Sequence, residues 1–248
     1  MKWRVIPLQT NDAYFNMAAD EAIGDAISEK RSPPTIRFYK WKPGAVSIGH
    51  FQSMNEEVNI GKCDLLGIDY IRRKTGGGAV YHDENGEITY SVIAPEGLFP
   101  KGIIESYKVI CGWIIEGLAN LNIKAQFAPI NDILVDGKKI SGNAQTRRNG
   151  ILLQHGTILY DLKIETMFSL LKISNEKISD KMIKSVEDRV TKVLNYKQVS
   201  QEELYHALLK GFTEGKEYGL SDMTEDEVER TNSLIKTAYK TREWNFMR

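Results

Sequence analysis

The chain has 248 residues, 42% of them hydrophobic, enough for one large domain or a domain with a small appendage. Lys plus Arg and Asp plus Glu each number 33, and this balance speaks against a nucleic-acid partner, which calls for a basic excess or stripe. No apolar run approaches the ~18 residues of a membrane span, residues 1–5 lack the apolar core of a signal peptide, and Cys63 and Cys111 form no metal-type pair. The expectation is a soluble, cytoplasmic protein with no membrane contact.

Residues 1–5 read as the start of a strand. Across residues 13–27, Phe15, Ala18, Ala19, Ala22, Ile23, Ala26 and Ile27 share one helical face, with Asn11 or Asp12 as the cap. Pro33-Pro34 breaks the chain, residues 35–39 alternate like a strand, and residues 45–49 form another short strand. Ile103, Tyr107, Ile110, Ile114 and Leu118 repeat at helical spacing. Cys111 flanks that stripe and reads as a buried core residue; Cys63, with no activating neighbour in sequence, reads as structural too.

Asp136-Gly137 and Asn149-Gly150 are two-residue hairpin turns, so the strands around them predict a three-stranded antiparallel meander. From about residue 163 the pattern turns helical and charged, with helices over 202–212 and 225–239. There are no internal repeats. The expected architecture is a single α/β (α+β) domain over 1–248, with a core over 1–195 and a short helical part over 196–248.

Four segments carry chemistry. The first is Thr75-Gly76-Gly77-Gly78-Ala79, preceded by Arg72 and Arg73 and followed by Val80-Tyr81-His82-Asp83. Exposed backbone N–H groups beside two arginines suit a carboxylate or phosphate. Neither a P-loop nor a dinucleotide fingerprint is present, and without its flanks the glycine run would be an ordinary loop.

The second segment is Asn131-Asp132 with Lys139, just past the Asp136-Gly137 turn, where an ammonium could neutralise a carboxylate and a phosphate brought together. A solvent-facing edge lysine is the more ordinary fate. The third is Gln154-His155-Gly156-Thr157. Ideal pairing across Asn149-Gly150 sets His155 opposite Ala144 and Lys139 opposite Tyr160, which puts Lys139 and His155 on opposite faces. For both to line one site a bulge is required, expected at Gly142 or Gly156. The fourth, residues 184–191, reads as a polar loop entering a short strand or as a helix end with paired charges.

Taken in order, RRKTGGGAVYHD, NDI…DGKKISGNA, HGT and KSVEDRVT closely resemble the lipoate–protein ligase family, as do FNMAADEAI and SIGHFQ near the N-terminus. The resemblance runs from about residue 3 to 194 and continues weakly through Tyr239 to Asn245. It implies the fold shared with biotin protein ligases and class II synthetase cores: a mixed, largely antiparallel central sheet flanked by helices. It also implies a two-step reaction, in which lipoate and Mg2+-bound ATP give lipoyl-adenylate and an acceptor lysine then displaces AMP.

By resemblance, Arg73, Gly78, Ala79, Val80, Tyr81, Asn131 and Asp132 would contact the nucleotide. Lys139 would touch both the lipoyl carbonyl and the phosphate. Gly76, Gly77, His82, His155 and Gly156 would lie against lipoate, and residues 184–191 would cover adenine. No permanently bound cofactor is implied. The partners implied are apo lipoyl domains of 2-oxoacid dehydrogenase E2 subunits and the glycine-cleavage H protein. Val46 and Ile48 are candidate walls for the lipoyl tail.

Single-chain ligases of the family carry a further C-terminal domain, whereas this sequence stops near the end of the resemblance. The expectation is therefore slow adenylation by the chain alone, aided by a small accessory subunit. The main rival is an octanoyltransferase of the same fold, which moves octanoyl from acyl carrier protein through an acyl-cysteine; a lipoyl amidotransferase would need the same thiol. The stretch before Asn131, residues 125–130, holds no cysteine, and Cys111 on a core helix is a poor setting for a thiolate. A biotin ligase and a non-catalytic binding module rank lower.

Overall fold

The computed structural model describes residues 1–172, 184–185 and 188–248. Its main sheet contains β1 (Trp3–Asn11), β2 (Thr35–Trp41), β6 (Glu87–Pro95), β7 (Gln126–Ala128), β8 (Asp132–Val135), β9 (Lys138–Arg148), β10 (Ile151–Leu159) and β11 (Tyr218–Leu220). Their spatial order is β11-β1-β2-β6-β10-β9-β8-β7. β1 runs parallel to β2 and β11, and the remaining neighbours are antiparallel. A smaller sheet holds β3 (Ala45–Ile48) between β4 (Asp69–Arg72) and β5 (Val80–His82). The expected mixed, largely antiparallel sheet with flanking helices is what the chain forms.

Alternation along the central strands sends successive side chains to two different layers. On one face, Phe38, Tyr90, Val92 and Leu152 pack against α4 (Ile103–Ala119) and α6 (Gln201–Thr213) through Ile110, Cys111, Ile114, Leu208 and Phe212. On the other, Tyr39, Trp41 and Ile93 meet α1 (Ala13–Ser28) through Met17, Ala22 and Ile23. α1 in turn packs on α7 (Glu225–Leu234), which continues as one π-helical turn over Ile235–Tyr239. Short helices α2 (Met54–Glu57), α3 (Ile60–Leu66), α5 (Ile164–Leu170) and α8 (Arg242–Asn245) complete the elements used below.

Local chemistry explains the boundaries. Of the two candidate caps, Asp12 starts α1, its carboxylate accepting from Phe15 N at 2.7 Å. Ser200 and Thr224 open α6 and α7 with reciprocal capping boxes closed by Glu203 and Glu227. Asp136-Gly137 and Asn149-Gly150 all have positive φ, as a type I′ hairpin demands. The C-terminal region departs from expectation: it is not only helical, because residues 218–220 form β11 along the edge of β1. Three residues are too few to show a period of two in sequence. Leu204, Leu208 and Phe212 also sit in the same core as the central strands.

Both cysteines are buried, Cys63 on α3 and Cys111 on α4. Among the described residues no helix is long and apolar enough to cross a membrane.

α4 and α6 approach closely because each presents a glycine. A Cβ on Gly211 would overlap the Gly117 N and the Trp113 carbonyl oxygen, which are backbone atoms that cannot swing aside. Gly211→Ala is therefore expected to lower the unfolding free energy by about 1–3 kcal/mol, the usual range for overpacking. Urea denaturation should show a reduced midpoint at an unchanged m-value; an unchanged midpoint would contradict the close helix contact.

Candidate active site

A cleft of about 310 Å³ opens on the α1 face of the sheet, between the glycine loop and β9–β10. Arg73, Gly77, Gly78, Ala79, Val80, Tyr81 and His82 form one wall, with Asn131, Lys139, His155 and Gly156 opposite. Gly76 and Asp132 do not line it. Two sequence motifs some 60 residues apart thus face one space.

The two arginines before the loop do different work because strand alternation points them apart. Arg72 is turned toward the C-terminal segment. Its guanidinium donates to the carbonyls of His50 at 2.8 Å, Gln52 at 2.6 Å, Trp244 at 3.0 Å and Asn245 at 3.0 Å. Trp244 Nε1 returns a bond to Arg72 O at 2.9 Å. Lys74, beside it, pairs with Glu21 of α1, which also accepts from Tyr239 Oη. The C-terminal segment therefore fixes the root of the loop.

Arg73 is buried under the loop. Nη2 donates to Gly76 O and Gly78 O, both at 2.8 Å; Nη1 donates to Ser47 O at 3.1 Å and Ser47 Oγ at 3.2 Å; and Nε donates to Thr75 Oγ1 at 3.2 Å. All five guanidinium donors are thereby engaged. Burial lowers the Arg73 pKa to about 10, which still leaves it charged near neutrality. Gly49 lets the loop settle on β3, since a Cβ there would overlap the Gly77 carbonyl oxygen.

Two histidines flank this arginine through hydroxyls. His82 Nε2 lies 2.8 Å from Ser47 Oγ, and its Nδ1 lies 2.7 Å from Glu87 Oε1. The ring stacks on Trp41 with centroids 3.9 Å apart. On the other side, His155 Nε2 lies 2.7 Å from Thr75 Oγ1, while its Nδ1 stands 3.6 Å from Asp20 Oδ2, beyond hydrogen-bond length. Burial would raise the Asp20 carboxyl. Instead, Arg37 at 2.5 Å, with the neighbouring His155 and the Ser91 hydroxyl, holds it below the usual carboxylate range. Burial pushes the His155 imidazole down from 6.5.

Lys139 and His155 do share the site, and the bulge that brings them together differs from the expected one. His155 pairs with Ala144 as ideal register requires, and the β9–β10 ladder is regular to Ser141–Ile158. The irregularity lies in β8–β9, where Ile133 pairs with Ser141 but Leu134 pairs with Lys139. Ile140 is the extra residue. Ile140 and Ser141 both turn into the interior, so Lys139 emerges on the His155 side. Nor does Tyr160 face Lys139. Lys139 N donates to Arg189 O at 2.7 Å and its carbonyl accepts from Thr191 N at 2.8 Å, so residues 189–191 take that edge. Val190 consequently lines the cleft. Within the expected segment 184–191, residues 186 and 187 lie outside the described residues.

The Lys139 ammonium pairs with Asp132 Oδ1 at 2.8 Å, both side chains being partly exposed. Gly142 makes room for it, because a Cβ would stand 2.7 Å from Lys139 Nζ. Asn131 is tied to Asn143, whose Nδ2 donates to Asn131 O at 2.8 Å.

Val46 and Ile48 are not tail-pocket walls: they point into the small core with Met54 and Cys63. Alternation on β3 gives the cleft Ser47 instead. The apolar lining comes from Trp41, Leu159, Leu162, Met167 and Leu171. Ser47, Trp41 and Glu87 were not singled out from sequence; strict alternation in residues 45–48 was the one signal that could have picked out Ser47. Cys111 stands on the opposite face of the sheet, 4.0 Å from Gln154 Nε2, with its thiol pushed up to about 12 by burial. Burial likewise raises Cys63 to about 11.

A neutral His155 ring contributes stability fully above its unfolded value near 6.5, and that contribution is lost as the pH falls below it. The unfolding free energy of the wild type is expected to decline from pH 7 to 5, with a flatter limb in His155→Gln. Equal slopes in the two proteins, measured by denaturant titration at each pH, would assign the limb to another group.

Residues 12–213 match the model of the lipoyl protein ligase A/B catalytic domain. Over its whole length the chain is 36% identical to octanoyltransferase LipM of Brevibacillus brevis, covering 99% of that protein. Among solved structures it is similar to a bi-partite lipoate protein ligase of Thermoplasma acidophilum, with TM-score 0.87 and 32% identity, covering 99% of this chain and 96% of that one. It is also similar to a lipoate-protein ligase A bound with ATP, with TM-score 0.86 and 29% identity over 99% of both chains.

Proposed function

Because the chain belongs to the lipoyl protein ligase A/B catalytic-domain family, we propose that it is an AMP-forming lipoate–protein ligase. It activates lipoate with ATP and transfers the lipoyl group to a lysine of an apo lipoyl domain. The observation that carries this reading is that neither cysteine of the chain faces the cleft, and burial raises both thiols. A route through an acyl-cysteine needs an accessible thiolate; adenylation needs only two anions held in contact with their repulsion offset.

The cleft meets that need. In the first step a lipoate carboxylate oxygen attacks the α-phosphorus, and the bond to the departing pyrophosphate breaks. Magnesium enters with the nucleotide as part of the substrate. The Lys139 ammonium sits beside that reaction and exchanges its partner Asp132 for the two substrate anions. Arg73 acts mainly by holding the loop, so that the amides of residues 77–80 stand ready for the phosphate and carboxylate. Trp41, Leu162 and Met167 offer an apolar bed for the acyl chain. In the second step the acceptor lysine amine attacks the acyl carbonyl, and the bond to AMP breaks.

Octanoyl transfer is the second reading, and what favours it is the name carried by relatives such as the 36% identical Brevibacillus protein. For partners, the T. acidophilum ligase, described as bi-partite and with its E2 lipoyl domain, supports an E2 acceptor and a separate accessory subunit. The glycine-cleavage H protein is a further proposed acceptor.

Mass spectrometry of an apo lipoyl domain separates the readings. With the protein, MgATP and lipoate, it is expected to gain one lipoyl group, and Lys139→Ala should slow lipoyl-adenylate formation by about 10²–10³-fold, the scale for losing one such charge. Near-normal adenylate production by a folded Lys139→Ala variant, or modification only from octanoyl-carrier protein without ATP, would sink the ligase reading.

A further inference from the structure

We propose that Ser47, His82 and Glu87 form an acyl-accepting triad on the floor of the cleft, able to take an acyl group from a thioester without ATP. The hydroxyl–imidazole and imidazole–carboxylate spacings are 2.8 and 2.7 Å, the geometry of a nucleophile, its base and the base's orienter. Glu87 Oε1 also accepts from Thr89 Oγ1 at 2.8 Å, and Thr89 is itself held by Trp41 Nε1 at 2.8 Å. The imidazole is further fixed by its stack on Trp41.

The reaction uses the arrangement in which the Glu87 carboxylate accepts from Nδ1–H and Nε2 of a neutral ring is the acceptor. Ser47 Oγ already accepts from Arg73 Nη1 at 3.2 Å, so its own proton is free for Nε2. The same guanidinium would stabilise the developing alkoxide.

The Thr75–His155–Asp20 array provides an internal comparison. It has the same three kinds of group around the same arginine, yet its outer link is 3.6 Å and Thr75 does not line the cleft. Only the Ser47 array is both closed and turned toward the cleft.

In the reaction, Ser47 Oγ attacks the thioester carbonyl carbon as its proton passes to His82 Nε2. The C–S bond breaks, and the thiol leaves with that proton, giving an O-acyl serine. A neutral acceptor lysine amine then attacks the ester carbonyl. The C–O bond breaks, and a proton of the amine returns through His82 to Ser47 Oγ. No oxidant or nucleotide is consumed. The substrate class is an acyl thioester whose chain can lie against the apolar lining at Trp41, Leu162 and Met167.

The test incubates the full chain with S-octanoyl-N-acetylcysteamine without ATP, followed by intact-mass measurement and peptide mapping. One hydroxylamine-labile octanoyl group on the Ser47 peptide is expected, absent in Ser47→Ala, retained as a thioester in Ser47→Cys, and formed at least tenfold more slowly in His82→Gln. No adduct on either wild type or Ser47→Cys, in samples that unfold cooperatively, would overturn the proposal. Loss of ATP-dependent lipoylation in Ser47→Ala with no wild-type adduct would also overturn it, reducing Ser47 to a positioning residue for Arg73. An adduct formed by a wild type inert with lipoate and ATP supports the triad and counts against the ligase reading alone.

Discussion

The Arg73 guanidinium lies under the glycine loop and, among the described residues, has no carboxylate partner; its five donors go to loop and β3 oxygens instead. A buried cation satisfied only by carbonyls and hydroxyls keeps an unneutralised charge. Here that charge stands at the foot of a cleft, which is where an anionic ligand gains most from it. A lysine could not replace it, since three donors on a flexible stem cannot bridge Gly76, Gly78, Ser47 and Thr75 at once.

The neighbouring features follow from holding that group in place. Arg72 and Trp244 pin the strand that delivers it, and Lys74 ties the far side to α1 and the last helices. Ser47 and Thr75 each accept from the guanidinium and meet a histidine, so two imidazoles are set around one cation by hydroxyls rather than by direct contact. Such a network orders its members only when each is satisfied. On the Ser47 side both imidazole nitrogens find a partner, although Glu87 Oε2 has none, and on the His155 side Nδ1 is left without a hydrogen bond.

Lys139 reaches the same space by a different device. An extra residue at Ile140 reverses the facing of everything before it in β9, and Gly142 leaves the volume the lysine stem occupies. The bulge costs little because Ile140 gains a place in the core on the α4 side.

The sequence by itself determined the elements whose signals are local. The type I′ turns at Asp136-Gly137 and Asn149-Gly150, a cap at Asn11 or Asp12 and the helix over residues 103–118 depend on a few adjacent residues, and so does the motif set that marks Arg73, Lys139 and His155. Tertiary structure decided what depends on faces and distant partners. The position of the bulge at Ile140 rather than a glycine was fixed by core packing, which no turn residue announces. The pairing of Lys139 with residues 189–191, the three-residue strand β11, and the choice of Ser47 over Val46 and Ile48 were settled by long-range contacts. The Ser47–His82–Glu87 array joins residues on three strands of two sheets. Ser47 meets His82 through the antiparallel pairing of β3 with β5, a long-range contact, whereas Glu87 follows His82 by five residues across the turn that joins β5 to β6.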